Sequence, residues 1–177
     1  MVAQMEIRRC ILVGAESTGK TELAQALSCL LPATWSGEYV RTFIEYVRRP
    51  VEVNDLSAIL AGQLAYERAA VEAASQQCLQ WVVHDTNAWM TTLYARELYG
   101  SRLALDANHY RGQDFTYLLC QPDIPWTPDP GQREGPATRE RFHRLFEKEL
   151  QAAGIPFYSL SGQGEERICN ALGLLCG

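Results

Sequence analysis

The chain has 177 residues, 47% hydrophobic and 21% charged, which is enough for one α/β core and too short for two ordinary domains, so residues 1–177 read as a single domain. A formal net charge of −5 excludes broad nucleic-acid binding, which needs a basic face to displace phosphate counterions. Six cysteines, Cys10, Cys29, Cys78, Cys120, Cys169 and Cys176, are scattered without a CxxC pair; they read as core fillers, not as a metal site or disulfide framework.

Arg8 and Arg9 are followed by only Ile11, Leu12 and Val13 as an apolar run before glycine appears. Neither a signal peptide nor a membrane span fits that pattern, and the expected location is cytoplasmic, with no membrane partner. The same run, leading straight into a glycine loop, predicts a buried parallel strand. Beyond the loop, Leu23, Ala24, Leu27, Leu30 and Leu31 recur at helical spacing until Pro32, which predicts one apolar helix face. Residues 34–47, TWSGEYVRTFIEYV, predict a short strand that turns near Gly37 into a helix broken at Arg48, Arg49 and Pro50. Asn54 or Asp55 is the expected cap of a helix running to about residue 77 through Leu56, Ile59, Leu60, Leu64 and Val71.

WVVHD at 81–85 predicts a third strand, followed by a helix in AWMTTLYARELYG, and FTYLLC at 115–120 and FYSLS at 157–161 predict two more strands. Between the last two, a proline-rich segment precedes a helix expected from about Thr138, carrying Phe142, Leu145, Phe146 and Leu150. Alternating strands and helices imply a three-layer α/β P-loop NTPase fold: a mainly parallel sheet, helices on both faces, and ligands beyond the carboxyl ends of the strands.

GAESTGKT at 14–21 satisfies GxxxxGK[ST] in the strand-to-helix context that the chemistry requires. Glycines let successive N–H groups face a polyphosphate, the helix adds its positive dipole end, Lys20 bridges the terminal phosphates and Thr21 takes a magnesium position. Gly14, Glu16, Ser17, Thr18, Gly19, Lys20 and Thr21 are thus the candidate nucleotide-binding residues, with ATP and Mg2+ the expected cofactors. Asp85, at a strand end, is the candidate second magnesium group; the bland reading is a turn former or helix cap. Glu38 and Arg41 follow the second strand, where a carboxylate can take the proton of an acceptor hydroxyl and an arginine can bind the acceptor; the bland reading is a surface ion pair. Glu38 and Asp85 stand as competing candidates for the base.

The segment from about 122 to 138 reads as a lid. Arg133 lies within it, with Arg139 and Arg141 just beyond and Arg111 just before, placed to stabilise charge on a moving phosphoryl group. Arg139 is a candidate nucleotide contact, and Trp126 and Tyr39 are candidates to stack on a flat heterocycle, although any one aromatic is more often a packing residue. Trp89, Tyr94 and Tyr99 fall under the same two readings. His84, His109 and His143 lack metal-ligand spacing.

GAESTGKT, GEYVR, HDT, QPDIPWTPDPGQRE and RERFHRLFEKEL, in that order, together resemble the ribosylnicotinamide kinase domain of bacterial NadR proteins, and the resemblance covers nearly the whole chain. It implies MgATP-dependent phosphorylation of the 5′-hydroxyl of nicotinamide riboside to nicotinamide mononucleotide, with Lys20, Thr21, Asp85 and Arg133 in the roles above. Glu38, Tyr39, Arg41, Asn87 and Trp126 are the expected nucleoside contacts. Relatives often read DTD where this chain has Asp85-Thr86-Asn87, so the role of the third position stays open. The fused family proteins also carry a nucleotidyltransferase domain with an HxGH motif, for which this sequence has neither room nor motif, so adenylyltransferase activity is not expected. Two rival readings remain: a kinase for another nucleoside or small alcohol, and a non-catalytic nucleotide-binding regulator. The missing NKxD string weakens a guanine-nucleotide switch.

Overall fold

In chain order the elements are β1 Arg8–Val13, α1 Lys20–Leu30, β2 Ala33–Ser36, α2 Tyr39–Val47, α3 Leu56–Gln76, β3 Trp81–Asp85, α4 Ala88–Tyr99, β4 Phe115–Cys120, α5 Pro136–Ala152, β5 Phe157–Leu160 and α6 Glu165–Cys176. The structure, a computed structural model, describes residues 6–126 and 135–177. The five strands form one sheet in the order β2-β3-β1-β4-β5, and every neighbouring pair is parallel. β1 lies between β3 and β4, with Leu12 in register with Asp85 on one side and with Leu118 on the other. The chain moves from β1 to one side of the sheet and then crosses to the other, so the carboxyl ends of β1 and β3 meet at the crevice where such sheets bind ligands.

Burial on both faces explains the unbroken apolar runs. Cys10 and Leu12 pack with Leu23, Ala24 and Leu27 of α1 and Ala171 and Leu175 of α6. Ile11 and Val13 point the other way, onto Trp89, Met90 and Leu93 of α4 and Phe142, Phe146 and Leu150 of α5. Ala70 and Ala74 of α3 cover Val82 on that second face. The α5 stripe is spaced by four residues, and each fully buried side chain contributes roughly 1.5–3 kcal/mol through the area it removes from water.

Several boundaries differ from expectation. Asp55 occupies the N-cap position of α3 as expected, but its side chain makes no cap hydrogen bond to that helix; it accepts instead from the Glu52 N–H at 2.8 Å, completing a reciprocal capping box over Val53–Asp55. Helix α5 begins at Pro136 and not near Thr138, because a proline at the first helical position has its torsion preset and lacks only an N–H that would be unpaired there. Helix α6 was not anticipated at all. The cysteine reading holds for Cys10 and Cys120, which are buried, and fails for Cys29, Cys78, Cys169 and Cys176, which are exposed; all six are free thiols. No helix among the described residues is long and apolar enough to cross a membrane.

Candidate active site

The loop between β1 and α1 is shaped by two left-handed residues, Ser17 at φ 56° and Gly19 at φ 72°. Gly14 is required by crowding: a Cβ there would lie 2.7 Å from Thr18 Oγ1 and 3.1 Å from the Cys120 carbonyl oxygen. Thr18 is fully buried and its hydroxyl donates to the Ala15 carbonyl at 2.8 Å, while Lys20 Nζ donates to the same carbonyl at 2.9 Å. The lysine is thereby folded over the hollow of the loop. Glu16 is half-buried.

Thr21 opens α1 and points at β3, where its hydroxyl donates to Asp85 Oδ2 at 2.5 Å. Asp85 is 2% exposed, and its other oxygen, Oδ1, is buried with no hydrogen-bond partner among the described residues. A buried carboxylate oxygen left unpaired is costly and asks for a partner. The next residue, Thr86, has φ 66°, an unfavourable conformation for a β-branched side chain, held by its N–H donating to the Leu12 carbonyl at 3.1 Å. This turn ends β3 abruptly and leaves Asp85 beside the phosphate-binding loop.

Glu38 sits at the N-terminus of α2, its side chain 22% exposed and 3.2 Å from Arg41 Nε. Burial raises its carboxyl above the ordinary value; Lys20 opposes this most strongly, the Asp85 charge adds to it, and Arg41 opposes it. Glu38, Lys20 and Asp85 therefore share one electrostatic environment at the ends of β1, β2 and β3. Just behind them, Ser36 Oγ and His84 Nδ1 are 2.7 Å apart, tying β2 to β3, and burial pushes His84 down to about 3, so it is neutral.

Helix α3 links the two helix starts that flank this pocket. Gln63 accepts from the Tyr39 N–H at 2.9 Å and donates to Glu67 Oε1 at 3.3 Å, and Glu67 accepts from the Ala88 N–H at 2.6 Å. Burial raises the Glu67 carboxyl to about 7, with the Ala88 and Gln63 hydrogen bonds pulling it down. Sequence reasoning missed both residues, since polar side chains on an amphipathic helix carry no local signal for such a link.

The other expected contacts are placed less uniformly. The Tyr39 ring packs against α3, so closely that a Cβ on Gly62 would lie 2.1 Å from it, and meets Tyr66 edge-on at 5.1 Å. Asn87 is fully buried; its Oδ1 accepts from the Met90 N–H at 3.1 Å and its Nδ2 donates to the Tyr117 hydroxyl at 3.0 Å, so it caps α4 and braces β4. Trp89 stacks on Tyr110 at 4.9 Å, and Tyr94 packs on Phe142 and Phe146; both are core residues. Trp126 is half-buried, with Nε1 shielded and unpaired among the described residues. Arg133 and most of the expected lid, residues 127–134, lie outside the described residues. Arg111 and Arg141 lie over the rings of Tyr110 and Phe142.

Arg139 donates to the carbonyls of Ser17 at 3.3 Å, Ile124 at 2.9 Å and Pro122 at 3.0 Å. A second arginine, Arg167 of α6, donates to the carbonyls of Thr18, Gln121 and Gly162 and to Asp123. Arg167 was not foreseen. The periodic Ile168, Ala171, Leu172 and Leu175 carry a helical signal for α6, but nothing in the sequence singles out its arginine.

The fold is similar to that of a NadR protein solved with NAD and AMP-PNP, at a TM-score of 0.69 and 20% identity over 96% of this chain. It is also similar to a NadR protein solved with NR, at a TM-score of 0.67 and 19% identity over 96% of this chain. The chain spans about half the length of these structures, 48% and 50% respectively. No curated protein matches it in sequence. Residues 9–167 match the family model described as an AAA domain, which takes in the phosphate-binding loop, the β3 carboxylate and both carbonyl-holding arginines, and the chain belongs to that AAA domain family.

Proposed function

We propose that this protein is an ATP-dependent small-molecule kinase that phosphorylates the 5′-hydroxyl of nicotinamide riboside, giving nicotinamide mononucleotide. The observation that carries the reading is the convergence of Lys20, Thr21, Asp85 and Glu38 at the carboxyl ends of neighbouring parallel strands. The NadR structures of like fold, one with NR and one with an ATP analogue, support the choice of ligands.

In this reading the inward amides of the 14–21 loop bind the polyphosphate and Lys20 leaves the Ala15 carbonyl to draw charge from the terminal phosphate. The Thr21 hydroxyl and the unpaired Asp85 Oδ1 form a hard-oxygen donor pair that fits a magnesium ion completing its shell with phosphates and water. Magnesium bound there would neutralise charge on the phosphates being separated. Glu38 is assigned as the base: it faces the same space, is not engaged with Thr21, and burial has raised its proton affinity toward the range where a carboxylate accepts a proton usefully. The acceptor enters between α2 and α4, where its cationic pyridinium ring comes near the Glu38 carboxyl at the start of α2.

The test is acceptor-dependent ADP release with a panel of nucleosides and small alcohols. Turnover highest with nicotinamide riboside supports the assignment, turnover with a different acceptor redirects it, and tight nucleotide binding without any acceptor-dependent turnover replaces it with a binding protein.

A further inference from the structure

Two arginines grip the phosphate-binding loop from outside. Arg167 is 4% exposed, and its guanidinium joins three segments. Nη1 donates to the Thr18 carbonyl. Nη2 donates to the Gln121 carbonyl at 3.0 Å and to Asp123 Oδ1. Nε donates to the Gly162 carbonyl at 2.7 Å. Asp123 in turn accepts from the Gly162 N–H at 2.8 Å through Oδ2, and its carbonyl accepts from Gln163 Nε2 at 2.8 Å. From α5, Arg139 holds the carbonyl of Ser17, the residue before Thr18.

We infer that Arg167, braced by Asp123, is a positioning residue for nucleotide binding, which fixes the direction of the loop amides without touching the nucleotide. In a trans peptide the N–H of one residue points opposite to the carbonyl of the residue before it. Holding the Ser17 and Thr18 carbonyls outward therefore turns the Thr18 and Gly19 N–H groups toward the hollow under Lys20. Because Ser17 and Gly19 are both left-handed, these peptide planes have other arrangements open to them, and the arginines select the one that receives an anion. The guanidinium geometry matters: one planar group satisfies four acceptors on three segments, which a lysine cannot do. The inference rests on the proposed function only in taking the loop to bind a polyphosphate.

The experiment measures MgATP affinity calorimetrically at 10 °C for the wild type, Arg167→Met, Arg167→Lys and Asp123→Asn, together with melting temperatures and the separate KM values for ATP and for the acceptor. Arg96→Met, which breaks the Arg96–Glu149 pair on the opposite face, is the control for stability alone. Expected are a roughly 10- to 100-fold loss of MgATP affinity for Arg167→Met, the scale of a lost charge-assisted hydrogen bond, little rescue by lysine, and about a threefold to tenfold loss for Asp123→Asn. KM for ATP rises while KM for the acceptor stays within about twofold, and Arg96→Met lowers the melting temperature with MgATP affinity unmoved. An Arg167→Met protein that folds and binds MgATP like the wild type overturns the inference; should that variant not fold, wild-type affinity in Asp123→Asn overturns it. Wild-type protein that binds no magnesium nucleotide overturns the proposed function and this inference together, whereas binding that the variants leave unaltered overturns this inference alone.

Discussion

Replacing Glu67 by glutamine keeps an oxygen to accept from the Ala88 N–H but removes a group that binds a proton on folding. The folded carboxyl is raised from its ordinary 4.5 to about 7. Between those values the folded chain holds a proton that the unfolded chain has lost, so stability falls as pH rises through the window. Each pH unit costs about 1.4 kcal/mol, or about 3 kcal/mol across the window. His84 acts oppositely: held at about 3 by burial, it adds stability that is present above 6.5 and lost as pH falls, but it is common to both proteins and cancels in their difference. Urea unfolding followed by tryptophan fluorescence at pH 5, 6, 7 and 8 gives that difference directly. Glu67→Gln is expected to gain on the wild type with rising pH, approaching about 3 kcal/mol by pH 8. A difference flat within about 0.5 kcal/mol, or one that shrinks as pH rises, refutes the assignment of Glu67 as a carboxyl that carries its proton into the folded state.

Lys20→Ala is expected to bring phosphoryl transfer below detection in an ADP-release assay, with a circular dichroism spectrum and melting temperature close to wild type, because it gives up only a partly exposed hydrogen bond worth about 1 kcal/mol. Glu38→Gln should lower kcat by roughly 10²- to 10⁴-fold while MgATP affinity holds; an unchanged kcat moves the role of base to Asp85. If Arg133 has the lid role that the family resemblance implies, Arg133→Ala lowers kcat more than it weakens acceptor binding, and steady-state kinetics separate the two; an unchanged kcat removes it from the mechanism. Phe146→Ala, at a fully buried ring, should cost about 3–5 kcal/mol in urea unfolding without altering kcat in the folded fraction.

Local signals carried most of the architecture. Unbroken apolar runs bounded by glycine or a carboxylate located β1 and β3 because both strands are buried on both faces, and the GxxxxGK[ST] spacing placed Lys20 and Thr21 where the loop had to turn. The Thr21–Asp85 bond spans 64 residues; the sequence brought the two residues to one site only as candidate magnesium groups and did not foresee the direct bond between them. Contacts made by backbone carbonyls were not legible. Arg139 and Arg167 act through the Ser17 and Thr18 carbonyls, and a carbonyl leaves no mark in a sequence. Asn87 was an expected nucleoside contact only through the family resemblance at the third position of the strand-end motif, with its role left open; after the turn at Thr86 its side chain caps α4. Four cysteines proved exposed: Cys29, Cys169 and Cys176 lie on outward faces of α1 and α6, and Cys78 lies in the turn after α3 at φ 54°, and composition alone does not record which side chain is turned out.

The central claim is that the 14–21 loop receives a polyphosphate with Thr21 and Asp85 beside it. Calorimetric titration of the wild-type protein with ATP, with and without magnesium, addresses this directly: saturable binding in the micromolar to low millimolar range, strengthened by magnesium and weakened by Asp85→Asn, is predicted. Absence of any heat of binding with ATP or GTP at millimolar concentration, with the protein folded, contradicts it.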